Sequence, residues 1–117
     1  MTFIEFIVLR HQQILELLLE HIKITFESLF LAVVIGVPIG ILISSNKYLS
    51  KIVMTIINAI QAIPSLALLG FLIPLVGVNE NTAIILVVLY AILPIVKNTF
   101  VGISNISISL IEVARGL

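Results

Sequence analysis

The sequence contains no cysteine, no tryptophan and no aspartate, and only 10% of its residues are charged. Without cysteine the chain forms no disulfide, carries no thiolate nucleophile and fits few structural zinc patterns, and its redox compartment stays open. Its acids are all glutamate and balance the lysines and arginines to a formal net charge of +0, so no basic field exists to attract nucleic acid. No Gly-x-x-x-x-Gly-Lys-Ser/Thr phosphate loop occurs, which excludes ATP binding by that device. His11 and His21 lack a second ligand at i+3 or i+4 and read as solvated side chains, so neither a metal nor another cofactor is expected. The serines have no His or acid partner at membrane depth, and Asn105-Ile106-Ser107 matches only a glycosylation triplet that is frequent by chance. No catalytic residue is expected, and the chain does not read as an enzyme.

What takes the place of charge is hydrocarbon. The chain is 61% hydrophobic with a mean hydropathy of +1.32, far from the usual soluble balance of about half apolar and a quarter charged. The expected class is all-α: a polytopic integral membrane protein with an amphipathic N-terminal helix and about three transmembrane helices. Residues 1–22 form the amphipathic helix. Phe3, Phe6, Ile7, Ile14, Leu17 and Leu18 recur at helical spacing, while Glu16, Glu20, Lys23 and Glu27 make a polar stripe. Those charges argue for an interfacial helix rather than a span. Spans are expected at 25–45, 52–76 and 82–103, with 104–117 leaving the membrane. In the first, Gly36 and Gly40 stand four apart and permit close helix contact, although Pro38 lies between them.

The middle span carries the most information. It lies in the longest uncharged run, Ile52 to Asn79, which exceeds the ~20 residues that cross a bilayer. Asn58, Gln61 and Ser65 fall at i, i+3 and i+7, one face of an ideal helix, with the small Ala62 beside them. Pro64 donates no backbone hydrogen bond and is expected to kink or open the helix. A broken, polar-faced segment at membrane depth is tolerated where it is buried in protein or lines a wet cavity. Asn58, Gln61, Pro64 and Ser65 are therefore candidate residues of a translocation path. The competing reading is that Asn58 and Gln61 only hold helices together.

Orientation follows from the bases. Lys47 and Lys51 share a turn without acid, and Glu80 sits in a turn without base. Lysines inside then put the N-terminus outside and return Lys97 and Arg115 to the cytoplasm.

Three segments carry a family resemblance. Gln61-Ala62-Ile63-Pro64-Ser65-Leu66-Ala67-Leu68-Leu69-Gly70 resembles the membrane-spanning permease subunits of bacterial ABC importers for glycine betaine, carnitine and choline. Leu89-Tyr90-Ala91-Ile92-Leu93-Pro94-Ile95-Val96-Lys97-Asn98-Thr99 is similar to that family's Tyr-Ala-Leu-Leu-Pro-Ile-x-Arg-Asn-Thr segment. Glu112-Val113-Ala114-Arg115-Gly116 resembles the opening of its Glu-Ala-Ala-x-x-x-Gly loop, with Val113 replacing the first Ala.

The resemblance implies a permease of the bacterial inner or plasma membrane. It would work with a separate ABC ATPase, a second permease subunit, and an extracytoplasmic substrate-binding protein or fused binding domain. Glu112, Ala114, Arg115 and Gly116 would belong to the short helix that seats on the ATPase. Glu112 is expected near that helix's N-terminus, where a carboxylate favours the dipole by roughly 0.3–1 kcal/mol. The Gly of that motif would fall one residue beyond Leu117, so the chain is expected to represent the first half of a subunit. Two further expectations stay open: the same importer type with another small zwitterionic cargo, and a non-transporting membrane adaptor oligomerising through Gly36 and Gly40.

Overall fold

A computed structural model of the chain describes residues 2–117. Five helices follow one another: α1 (Phe3–Ser44), α2 (Lys47–Gln61), α3 (Ser65–Val76), α4 (Glu80–Ser104) and α5 (Ile108–Gly116). No strand occurs among the described residues.

α1 begins at a capping box. The Glu5 amide donates to Thr2 Oγ1 at 3.2 Å while the Thr2 amide donates to Glu5 Oε2 at 3.0 Å, which satisfies two of the orphan donors of a helix start. The helix then runs for 42 residues with one departure from helical backbone, at Arg10 (φ −116°, ψ 19°). It passes unbroken through residues 22–25, between the amphipathic stretch and the first expected span. The cause is local: no glycine or proline occurs between the kink at Arg10 and Gly36, so nothing interrupts propagation over that stretch. Beyond the kink at Arg10, residues 11–44 extend about 51 Å at 1.5 Å per residue, well over the roughly 30 Å of a hydrocarbon core. Its polar stripe therefore rides on the same rod as its apolar span.

α1 and α4 pack side by side and run parallel. Lys23 pairs with Glu80 near one end (3.7 Å), Gly36 lies against Ile92 and Ile95 in the middle, and Gly40 lies against Val96 and Thr99 further on. The buried face of α1 is Ser28, Ala32, Gly36, Gly40 and Ile43, nearly one residue per turn and mostly small. Small side chains at this spacing let two backbones approach, and dispersion between them replaces the hydrophobic drive that lipid does not supply. The Gly36–Gly40 face is thus taken by α4 of the same chain. That removes the basis for a protein oligomerising through these glycines.

Because α1 and α4 are parallel, the chain crosses back between them through α2 and α3. Asn46 starts α2, its Oδ1 accepting from the amides of Tyr48 (3.0 Å) and Leu49 (3.1 Å). α2 lays Ile57 into a cluster with Ile43, Leu93 and Val96, flanked by Val53, Met54, Ile60 and Tyr90. The return turn to α4 uses Gly77 at φ 93°, a region open to glycine without steric cost. Asn79 caps α4 by accepting from the Thr82 amide at 3.0 Å, and the buried Thr82 hydroxyl donates to the Gly77 carbonyl.

α1 and α4 are each long and apolar enough to cross a membrane, and α2 with α3, bent by 92°, are long and apolar enough for a third crossing when taken as one span. The chain is a multi-pass membrane protein. The Asn46 turn, with Lys47 and Lys51, lies at the same end of the bundle as the C-terminus of α4.

Candidate functional site

The bend between α2 and α3 is built by Ala62, Ile63 and Pro64. Pro64 has no N–H to give back to Ile60, so the last turn of α2 tightens: the Ile63 amide donates to the Ile60 carbonyl at 3.0 Å. Pro64 itself is extended (φ −61°, ψ 135°), and α3 starts anew with the Leu68 amide donating to the Pro64 carbonyl at 3.1 Å. The carbonyl of Ile63 falls between the two ladders. It is met from across the bundle: the Tyr90 hydroxyl of α4 donates to it at 2.7 Å.

The predicted break at Pro64 is therefore present and forms an elbow. Its predicted polar face is only partly realised. Asn58 and Gln61 stand on the last turns of α2, but Ser65 opens α3 beyond the bend, so the i to i+7 relation does not carry across to it. Asn58, Gln61, Pro64 and Ser65 are all exposed and gather around the elbow. The buried side of α2 carries Ser50 and Ile57, whereas Tyr48, Lys51, Thr55 and Asn58, spaced three or four apart, are exposed. A polar stripe turned away from its own bundle at membrane depth requires either water or another protein surface.

The second candidate region is α5. Ser107 caps it, its Oγ accepting from the Leu110 amide at 3.4 Å. The helix stands clear of the other four, and Glu112, Ala114, Arg115 and Gly116 are exposed along it. Arg115 lies in the last turn, where a cation favours the helix dipole. Glu112 lies mid-helix rather than in the first turn, because Ser107 fixes the start five residues earlier. The expected dipole contribution of Glu112 is therefore absent, and its side chain is exposed on the helix. The elbow and α5 do not touch.

Tyr90 belongs to the elbow although the sequence reading does not name it among the site residues. The available signal was a hydroxyl-bearing aromatic in an otherwise apolar run, in a chain that also breaks a span with proline.

Residues 25–117 match the protein family described as binding-protein-dependent transport system inner membrane component. The chain is 38% identical over 98 residues to the carnitine transport permease protein OpuCB of Listeria monocytogenes, covering 84% of this chain and 45% of that protein. It is 39% identical over 98 residues to the choline transport system permease protein OpuBB of Bacillus subtilis, with the same coverage, 84% and 45%. The osmoprotectant import permease protein OsmY of Salmonella typhimurium is 37% identical over 99 residues, covering 83% of this chain and 42% of that protein. The chain spans less than half the length of these curated relatives. No solved structure gives a significant match.

Proposed function

Since the chain belongs to the family of binding-protein-dependent transport system inner membrane components, we propose that it forms part of the permease of an ATP-driven importer for quaternary-ammonium compatible solutes, glycine betaine, carnitine or choline. The observation that carries this is the match of residues 25–117 to the family, together with relatives named for carnitine, choline and osmoprotectant transport.

In this reading the chain is a transport component and a separate ABC ATPase hydrolyses ATP. A second permease subunit completes the path, and an extracytoplasmic binding protein or fused domain delivers cargo. The elbow supplies Asn58, Gln61 and Ser65 to the wall of the path, and Pro64 keeps the span open there. α5 seats on the ATPase through Glu112, Ala114, Arg115 and Gly116. The N-terminus faces outside, supported by the excess of lysine at the Asn46 turn and by Glu80 at the opposite end. ATP-driven closure then shifts the permease between two states that differ in which side the path opens to.

The test is a chimera. Residues 25–117 replace the matching part of the Listeria carnitine permease in a strain without its own osmoprotectant uptake, and labelled carnitine, choline and glycine betaine are followed. ATP-dependent accumulation of at least one is expected, and Gln61→Leu should lower it at an unchanged membrane level. A chimera that inserts at the level of the parent permease and carries none of the three would sink the reading.

A further inference from the structure

Two of the stretches that resemble the family meet at a single hydrogen bond, from the Tyr90 hydroxyl to the Ile63 carbonyl, between residues 27 positions apart. In an unbroken helix the Ile63 carbonyl would accept from the amide of residue 67. Here that residue belongs to α3, beyond a 92° bend, and no ladder reaches the carbonyl. An unpaired backbone carbonyl at membrane depth is costly, so its partner has leverage over which bend angle is occupied.

Tyr90 is well placed to exert it. Its ring is half-buried against the cluster of Ile43, Ile57, Leu93 and Val96, and α4 is locked to α1 along the Ser28–Gly40 stripe. Support therefore runs from a rigid parallel pair, through one hydroxyl, to the apex of the elbow. Gln61 lies two residues before that apex and Ser65 two residues after it.

We propose that Tyr90 is a positioning residue for transport: by holding the Ile63 carbonyl it fixes the elbow angle, and with it the placement of Gln61 and Ser65 in the path. The contact itself is independent of function, whereas the consequence for transport rests on the importer reading above. Tyr90 touches no cargo in this scheme. It acts through the backbone.

The sequence offers a clean probe of the bond. Only Ile63 and Ile73 are isoleucines followed by proline, since Pro38 follows Val37 and Pro94 follows Leu93. Carbonyl-labelled isoleucine with nitrogen-labelled proline, selected through the direct carbon–nitrogen bond, therefore yields two resonances from the chain in lipid bilayers. Pro74→Ala removes one and assigns both. The Ile73 carbonyl accepts from the Gly77 amide at 2.8 Å and serves as the internal reference.

Tyr90→Phe should move the Ile63 resonance and leave that of Ile73 in place. An Ile63 resonance that does not move overturns the proposal. In the chimeric permease, Tyr90→Phe should lower the maximal uptake rate about 2- to 10-fold, the range expected for loss of one neutral hydrogen bond. The half-saturation concentration and the membrane level should hold, because cargo capture belongs to the binding protein and the ring is kept. A shifted resonance with unchanged maximal uptake overturns the positioning role. If the unmutated chimera carries nothing, the failure belongs to the importer reading, and the carbonyl resonance still decides whether Tyr90 holds the elbow.

Discussion

Gly40 lies so close to Thr99 that a Cβ placed on it would sit 2.6 Å from the Cβ of Thr99 and 3.0 Å from the Val96 carbonyl oxygen. One turn earlier, a Cβ on Gly36 would come within 2.8 Å of Ile95 Cγ2. At Gly40 the second obstacle is backbone, which cannot rotate away. The α1–α4 pair is thus set by helix backbones in near contact.

Gly40→Val should separate α1 from α4. Overpacking a close-packed contact costs about 1–3 kcal/mol, and here the cost falls on the most tightly closed part of the bundle. Thermal unfolding in detergent micelles should register it. Gly70→Ala is the matched control, since nothing lies within 4 Å of the position a Cβ would take there. Equal melting temperatures for the two variants would contradict the packing.

Ser28 is fully buried in the same stripe, and its hydroxyl has no hydrogen-bond partner. Removing an unpaired buried hydroxyl while keeping its volume should not destabilise, because only the desolvation penalty is lost. Ser28→Ala is expected to match the parent or exceed it by about 1 kcal/mol. A clear loss of stability would mean that the hydroxyl is bonded in the membrane.

Topology can be read with single cysteines, since the chain has none of its own. Ser50 is a poor choice for the Asn46 end: it is buried, with its hydroxyl donating to the Lys47 carbonyl at 2.9 Å. Tyr48 and Val78 are 84% and 83% exposed at opposite ends of the bundle and are the better pair. In intact cells an impermeant maleimide should label Val78→Cys and spare Tyr48→Cys. The reverse pattern would invert the orientation and remove α5 from the cytoplasm.

Glu112→Ala separates docking from folding. The side chain is exposed in the middle of α5 and makes no ion pair among the described residues, so melting should be unchanged. In the chimeric permease the same change should weaken ATPase association or lower uptake, with cargo capture by the binding protein intact. Full uptake and assembly would detach Glu112 from the coupling role.

How much of this the sequence disclosed depends on how local each cause is. The break at Pro64 is a covalent property of proline and was legible from one residue. The small-residue face of Gly36 and Gly40 was legible as a packing face, although not which helix would fill it. The continuity of α1 through residues 22–25 is harder to read: Glu16, Glu20, Lys23 and Glu27 mark an amphipathic stretch, and only the absence of glycine and proline between Arg10 and Gly36 signals that the backbone runs on into the span. The charges bear on where the helix sits, and the backbone does not stop for them. The i to i+7 relation of Ser65 to Asn58 fails because a helical period does not extend through the proline that ends α2. Tyr90 could not be assigned at all, because its role depends on a partner 27 residues away and on a bend of 92°.

The parallel course of α1 and α4 also dictates an order of assembly. Parallel neighbours cannot be joined by a tight turn, so the slot from Ser28 to Gly40 has no partner when it leaves the ribosome. Residues near Thr99 emerge only after the chain has crossed back, a delay on the order of several seconds at about 5–20 residues per second. During that interval α1 must stand in lipid with its narrowest face open, and α2 is the first neighbour it meets. Any other helix with small residues at four-residue spacing could occupy the slot in the meantime.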